Sequence, residues 1–139
     1  MFEYFDKNPT LKKHKRGKNK GKPIPKSDCV IRGMMQLLEK SWLETAKILA
    51  ERGYELGETQ ISNKTFESFL KASGINVYTY NERGCRRYKT VAEFARETAH
   101  SYKGYLISVP HHVVFVKHGK YYDAWDSGDQ TVRKIWELK

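Results

Sequence analysis

The sequence predicts an α+β fold in which N-terminal helices, the first one bearing a cysteine, pack on a C-terminal antiparallel sheet. Three observations support this. Apolar residues recur with helical spacing from Cys29 to about Thr98, the period shifts to two after Gly104, and short turn signals separate the later runs. A chain of 139 residues, 39% hydrophobic and 13% aromatic, suits one domain with a real core.

Residues 1–26 read as a flexible basic N-terminal arm, and residues 27–139 as the domain. The stretch from Lys7 to Lys26 is Lys, Gly, Asn and Pro with almost nothing to bury, so it cannot offset the entropy of ordering itself. Pro23 and Pro25 extend its end. Met1 to Phe5 is more apolar and suited to dock on the domain surface.

The first helix begins at Cys29, after Ser27 and Asp28, two good N-cap residues, and carries Ile31, Met34, Met35 and Leu38 on one face. Ser41 and Glu44 have the form of a capping box, followed by Trp42, Ala46, Leu49 and Ala50, with an end near Gly53. Asn63 opens a third helix with Phe66, Phe69 and Leu70, stopped by Gly74. Thr90 and Glu93 repeat the capping-box spacing before Val91, Phe94, Ala95 and Thr98.

The strand runs are YLISV, HVVFV, KYYDAWD and TVRKIWEL, which read as an antiparallel meander. A short strand around residues 75–80 can join it, and residues 81–89, with Cys85, read as a polar loop.

The 26 basic and 16 acidic residues give a net charge of +10, but residues 1–26 supply +7 of it. The domain is therefore nearly balanced, and the arm is the element suited to a nucleic acid or an acidic partner. No apolar run reaches the roughly 18 residues of a membrane span, and no signal peptide is read. A cytoplasmic location, in a bacterium or a phage-infected host cell, is expected, where Cys29 and Cys85 stay reduced.

A cysteine in the first turn of a helix meets unpartnered N–H groups and the positive end of the helix dipole, so its thiolate is favoured. The same N–H groups can stabilise an oxyanion next to the sulfur. A base is offered by His112 at the start of HVVFV. If His118-Gly119 forms a two-residue turn, Val116 pairs with Tyr121, Val114 with Asp123 and His112 with Trp125. Alternation then sets Asp123 diagonal to His112, where it can orient the imidazole, with Trp125 as a shield from water. Asp126 falls on the opposite face.

The order Cys29, His112, Asp123, with Asp123-Ala124-Trp125 in place of an Asn-Ser-Trp motif, resembles the papain-like cysteine peptidases. The segments Asp28–Arg32, His112–Val116 and Gly119–Asp126 are similar to those of small papain-fold proteins of phages and Gram-positive bacteria. The resemblance covers Ser27 to the C-terminus, with about twenty residues in its specific motifs. It implies a papain-like fold and thiol-dependent cleavage of a peptide or isopeptide bond, with no cofactor and no metal. In the larger peptidases a Gln shortly before the Cys completes the oxyanion hole. Residues 22–28 contain none, so the hole falls to the Cys29 N–H with Ser27 or Asp28.

Alternation turns His111 away from Asp123, and no zinc-like spacing joins the histidines to a cysteine. Cys85 reads as a bystander, Trp42 as a core residue, and Arg32 as a structural partner of Asp28 or a substrate-binding group. The expected function is a small cysteine peptidase acting on a protein or peptide. Two alternatives use the same residues differently: acyl transfer to an amine through the same triad, or a non-enzymatic papain-fold binder acting through its arm, such as a phage inhibitor or a nucleic-acid-associated protein.

Overall fold

A computed structural model describes residues 1–7, 9, 15–18, 20–21, 28–73, 76–79 and 90–137. Most of the basic arm, Ser27, Gly74 and the 81–89 loop with Cys85 lie outside the described residues. The elements run β1 Phe2–Tyr4, α1 Cys29–Leu38, α2 Trp42–Leu56, α3 Asn63–Ala72, β2 Asn76–Thr79, α4 Val91–Glu97, β3 Gly104–Val109, β4 His112–Lys117, β5 Lys120–Asp123 and β6 Lys134–Glu137. The fold is α+β, with one mixed sheet ordered β1-β5-β4-β3-β6-β2.

The capping box read at Ser41 and Glu44 forms. The Ser41 hydroxyl accepts the Glu44 N–H at 3.1 Å and the Glu44 carboxylate accepts the Ser41 N–H at 3.4 Å, closing the box at the start of α2. Thr90 likewise accepts the Glu93 N–H at 3.2 Å. At α3 the cap is Ser62, one residue before Asn63. The second helix does not end at Gly53. It continues to Leu56 and stops at Gly57, whose φ of 70° is the left-handed conformation. Gly53 instead lets the following turn fold back, since a Cβ there would lie 2.7 Å from the Glu58 carbonyl oxygen.

The hairpin from β4 to β5 has the two-residue turn expected, with His118 and Gly119 at φ 52° and 77° and Val116 opposite Tyr121. The antiparallel meander expected for all four runs is overturned at its last strand. After β5 the chain crosses back so that β6 pairs with β3, which makes β3 to β6 a Greek key. This crossing is held under α4, where Val91 and Ala92 donate N–H groups to the carbonyls of Gln130 and Gly128 at 3.0 Å each. The apolar start of segment 1–26 docks on the domain, as expected of Met1 to Phe5, and does so as a strand. Phe2–Tyr4 forms β1, parallel to β5, and Phe5 donates its N–H to the Asp123 carbonyl at 2.7 Å.

Strand alternation sorts the core onto two faces of the sheet. Val113, Leu106 and Trp136 face Ile31, Met34, Leu49, Phe66 and Leu70 of the first three helices. Val114, Val116, Ile107 and Ile135 belong to the other cluster, with Phe94 and Ala95 of α4. Covering both faces fixes the register, because a one-residue slip would exchange the two sets. It also fixes the start of α1 against the start of β4. Among the described residues, no helix is long and apolar enough to cross a membrane.

Candidate active site

Cys29 is the first residue of α1, and His112 is the first of β4. The packing of α1 on this strand brings the two side chains together at one cleft, where the imidazole and the Val113 N–H both act on the sulfur. On its other side the His112 ring meets Asp123, with Nε2 2.5 Å from Oδ2. With Nε2 so engaged, Nδ1 is the ring nitrogen left for the thiol.

Asp123 ends β5 and is 1% exposed. Its Oδ2 also accepts the Ser127 hydroxyl at 2.6 Å, and its Oδ1 accepts the Ala124 N–H at 2.8 Å and Arg32 Nη2 at 3.1 Å. Four donors thus hold this carboxylate, which fixes the direction it presents to the imidazole.

Asp28 does not cap α1. Its side chain makes no cap hydrogen bond and is turned inward, forming a buried ion pair with Arg32 and accepting the Trp42 indole N–H at 3.0 Å. The negative charge beside the thiol is therefore matched, and the backbone N–H groups at the helix start are not taken by that carboxylate. Ser27 lies outside the described residues.

Burial pushes the Cys29 thiol up. The His112 hydrogen bond and charge, the Val113 N–H and the Arg32 charge outweigh it, and the thiol ends below its ordinary value. Burial acts on His112 in the downward sense, but hydrogen bonds and charge from Asp123 and Cys29 prevail and raise it to about 9. Both directions favour a thiolate–imidazolium pair near neutral pH.

Trp125 lies against the imidazole, with ring centroids 4.9 Å apart, while remaining 45% exposed. It arrives there by a route different from the one expected. Described pairing of β4 with β5 stops at Phe115 and Tyr122, so Val114–Asp123 and His112–Trp125 are not ladder pairs. Ala124 and Trp125 instead bend off the strand end. Asp126 stays outside the site and accepts the Tyr121 hydroxyl at 2.6 Å.

A cleft of about 310 Å³ opens over Cys29 and His112, lined also by Ile61 just before α3, by Asn63 at its start and by Val109 and His111. His111 is thus at the rim, outside the Cys29–His112–Asp123 line of hydrogen bonds. Among the described residues, no group of three or more His, Cys, Asp and Glu side chains is gathered to hold a metal ion.

Ser127, the Trp42 indole and Asn63 were not singled out for the site from the sequence. Ser127 and Asn63 carry only turn and helix-start signals, and Trp42 reads as an ordinary core residue. Comparison of the chain with protein-family models, curated proteins and solved structures finds no match in any of the three.

Proposed function

We propose that this protein is a thiol-dependent hydrolase of papain-like type, cleaving a peptide or isopeptide bond with Cys29 as nucleophile, His112 as base and acid, and Asp123 as the group that orients it. One observation carries the reading: the His112 ring shares a cleft with the Cys29 thiol while its Nε2 is bonded to the Asp123 carboxylate.

In this reading the Cys29 sulfur, its proton held on His112, attacks the substrate carbonyl. A C–S bond forms and the carbonyl electrons move onto oxygen. The oxyanion is met by the Cys29 N–H at the head of α1, with the Asn63 side-chain amide across the cleft as second donor in place of the absent Gln. Collapse breaks the C–N bond, and the leaving amine takes the proton from His112. Water then attacks the thioester, giving up its proton to His112, and the C–S bond breaks to return the thiol and release the acid.

The test uses a peptidyl p-nitrophenyl ester in a Cys85→Ser background, read by intact-mass spectrometry. The expected result is one acyl group on Cys29, absent from Cys29→Ala and much slower to form in His112→Ala. Lack of any adduct, or an adduct that forms equally without His112, would overturn the assignment.

A further inference from the structure

Arg32 lies one helical turn after Cys29 and is 5% exposed, yet its guanidinium meets two carboxylates that come from different parts of the fold. One is Asp28, immediately before the nucleophile. The other is Asp123, 91 residues away in sequence and bonded to His112. An unbroken set of polar contacts therefore runs from Trp42 through Asp28, Arg32 and Asp123 to His112.

Resting on the thiol-hydrolase reading, we propose that Arg32 is a positioning residue. Its planar fork fastens the start of α1 to the end of β5, and so fixes how Cys29 stands to His112.

Two physical points favour this over a plain helix salt bridge. A pair confined to Asp28 and Arg32, at positions four apart on one helix, would need no contact with β5. Burying a guanidinium and two carboxylates carries a large desolvation cost, and well-packed apolar residues often serve stability as well or better. The arrangement is better suited to geometry than to stability. A planar guanidinium can also satisfy two separate acceptors in a fixed relation, which an ammonium on a flexible stem does poorly.

The charged and titratable groups gathered here are Asp28 and Cys29 at the head of α1, His112 on β4 and Asp123 on β5. Trp42 of α2 and Ser127 of the crossing segment contribute neutral donors. Loss of Arg32 removes a positive charge near the thiolate and frees Asp123 to turn from His112. Both changes move the thiol upward in pH.

The experiment is the pH dependence of Cys29 alkylation by iodoacetamide in the Cys85→Ser protein. It compares Asp28→Asn, Arg32→Lys and the double variant Asp28→Asn with Arg32→Met, in which no unpaired Asp28 charge is left behind. If Arg32 served only to neutralise Asp28, the double variant would keep the parent profile. The proposal expects its midpoint to rise by about one pH unit, so that the rate at pH 6 falls about tenfold, with a smaller rise in Arg32→Lys.

An unmoved midpoint in both Arg32 variants, with the parent thiol reactive and dependent on His112, overturns the positioning role and leaves the hydrolase reading standing. A parent thiol unreactive at pH 6 and indifferent to His112→Ala overturns both. Should the double variant not fold, Arg32→Lys and the NMR titration of the His112 ring decide the matter: an unchanged titration in Arg32→Lys overturns the proposal.

Discussion

The indole of Trp125 stands 4.9 Å from the imidazole of His112, the two planes 36° apart, although β5 ends two residues earlier at Asp123. An aromatic face this close favours the protonated ring by about 0.5–1 kcal/mol and screens one side from water. In Trp125→Ala the His112 titration should move below its value of about 9, and Trp125→Phe should restore most of the difference. NMR titration of the ring checks this; an unchanged titration in Trp125→Ala would show that the contact has no electrostatic consequence.

Removal of His112 takes away the two largest downward influences on the Cys29 thiol, while burial, which pushes it up, remains. His112→Ala should therefore slow alkylation at pH 6.5 by about tenfold or more, and the deficit should close as pH rises past the ordinary thiol range. A deficit of equal size at every pH would point to access rather than ionisation.

Stability should depend on pH in a sense set by the raised His112 value. A group whose folded value lies above its unfolded one contributes fully below the unfolded value, near 6.5, and the contribution is lost as pH rises through about 9. Urea unfolding of the parent and of His112→Gln should show a larger gap at pH 6 than at pH 9.5. A gap that widened with pH would contradict the buried imidazolium.

Asp123→Ala strips an acceptor from His112, Arg32, Ser127 and the Ala124 N–H at once. Breaking a buried charged network in this way costs about 3–5 kcal/mol, against about 1–3 kcal/mol for Ser127→Ala, which removes one donor to a charged acceptor. Urea titrations of the two variants provide the check. A cost below about 1 kcal/mol for Asp123→Ala would mean that the network relaxes freely.

Asn63→Ala tests the proposed second oxyanion donor apart from thiol activation. Acylation by the p-nitrophenyl ester should fall by about 10²-fold while iodoacetamide alkylation keeps its parent rate, because only the former develops charge on a carbonyl oxygen. Equal rates for both reactions would remove Asn63 from the oxyanion site.

Much of this arrangement was legible because local chemistry specifies it. The helix start at Cys29, the Ser41–Glu44 box and the His118-Gly119 turn each depend on residues within a few positions of one another. Period-two patterning identified β3 to β6 as strands but carries no information on neighbours, so the return of β6 to β3 escaped it. The strand Phe2–Tyr4 is too short to show a period. Gly53 was misleading because a glycine serves equally as a stop and as a place of close backbone approach.

At the site, His112 and Asp123 were readable as hairpin partners. The inward turn of Asp28 and the second partner of Arg32 were not, since both depend on how α1 lands on the sheet. Ser127 offered only a turn-like Ser-Gly-Asp context, with nothing to mark it as a donor to a carboxylate eleven residues from the histidine it bonds.

The edge position of β1 changes what the N-terminal basic stretch is. With Phe2–Tyr4 paired to β5 and Cys29 opening α1, the stretch between Asp6 and Asp28 joins two fixed points of the fold. Truncation before Ser27 would therefore uncover the backbone edge of β5, the strand that ends in Asp123, as well as remove charge. A single backbone cut within that stretch would convert the protein into two chains, with the short one retained by non-covalent contacts such as the hydrogen bonds of β1, the Met1 ammonium on the Gly119 carbonyl, the Lys120–Glu3 ion pair and the packing of Phe2 and Phe5. Dilution would then release it, because the high local concentration conferred by covalent connection would be gone.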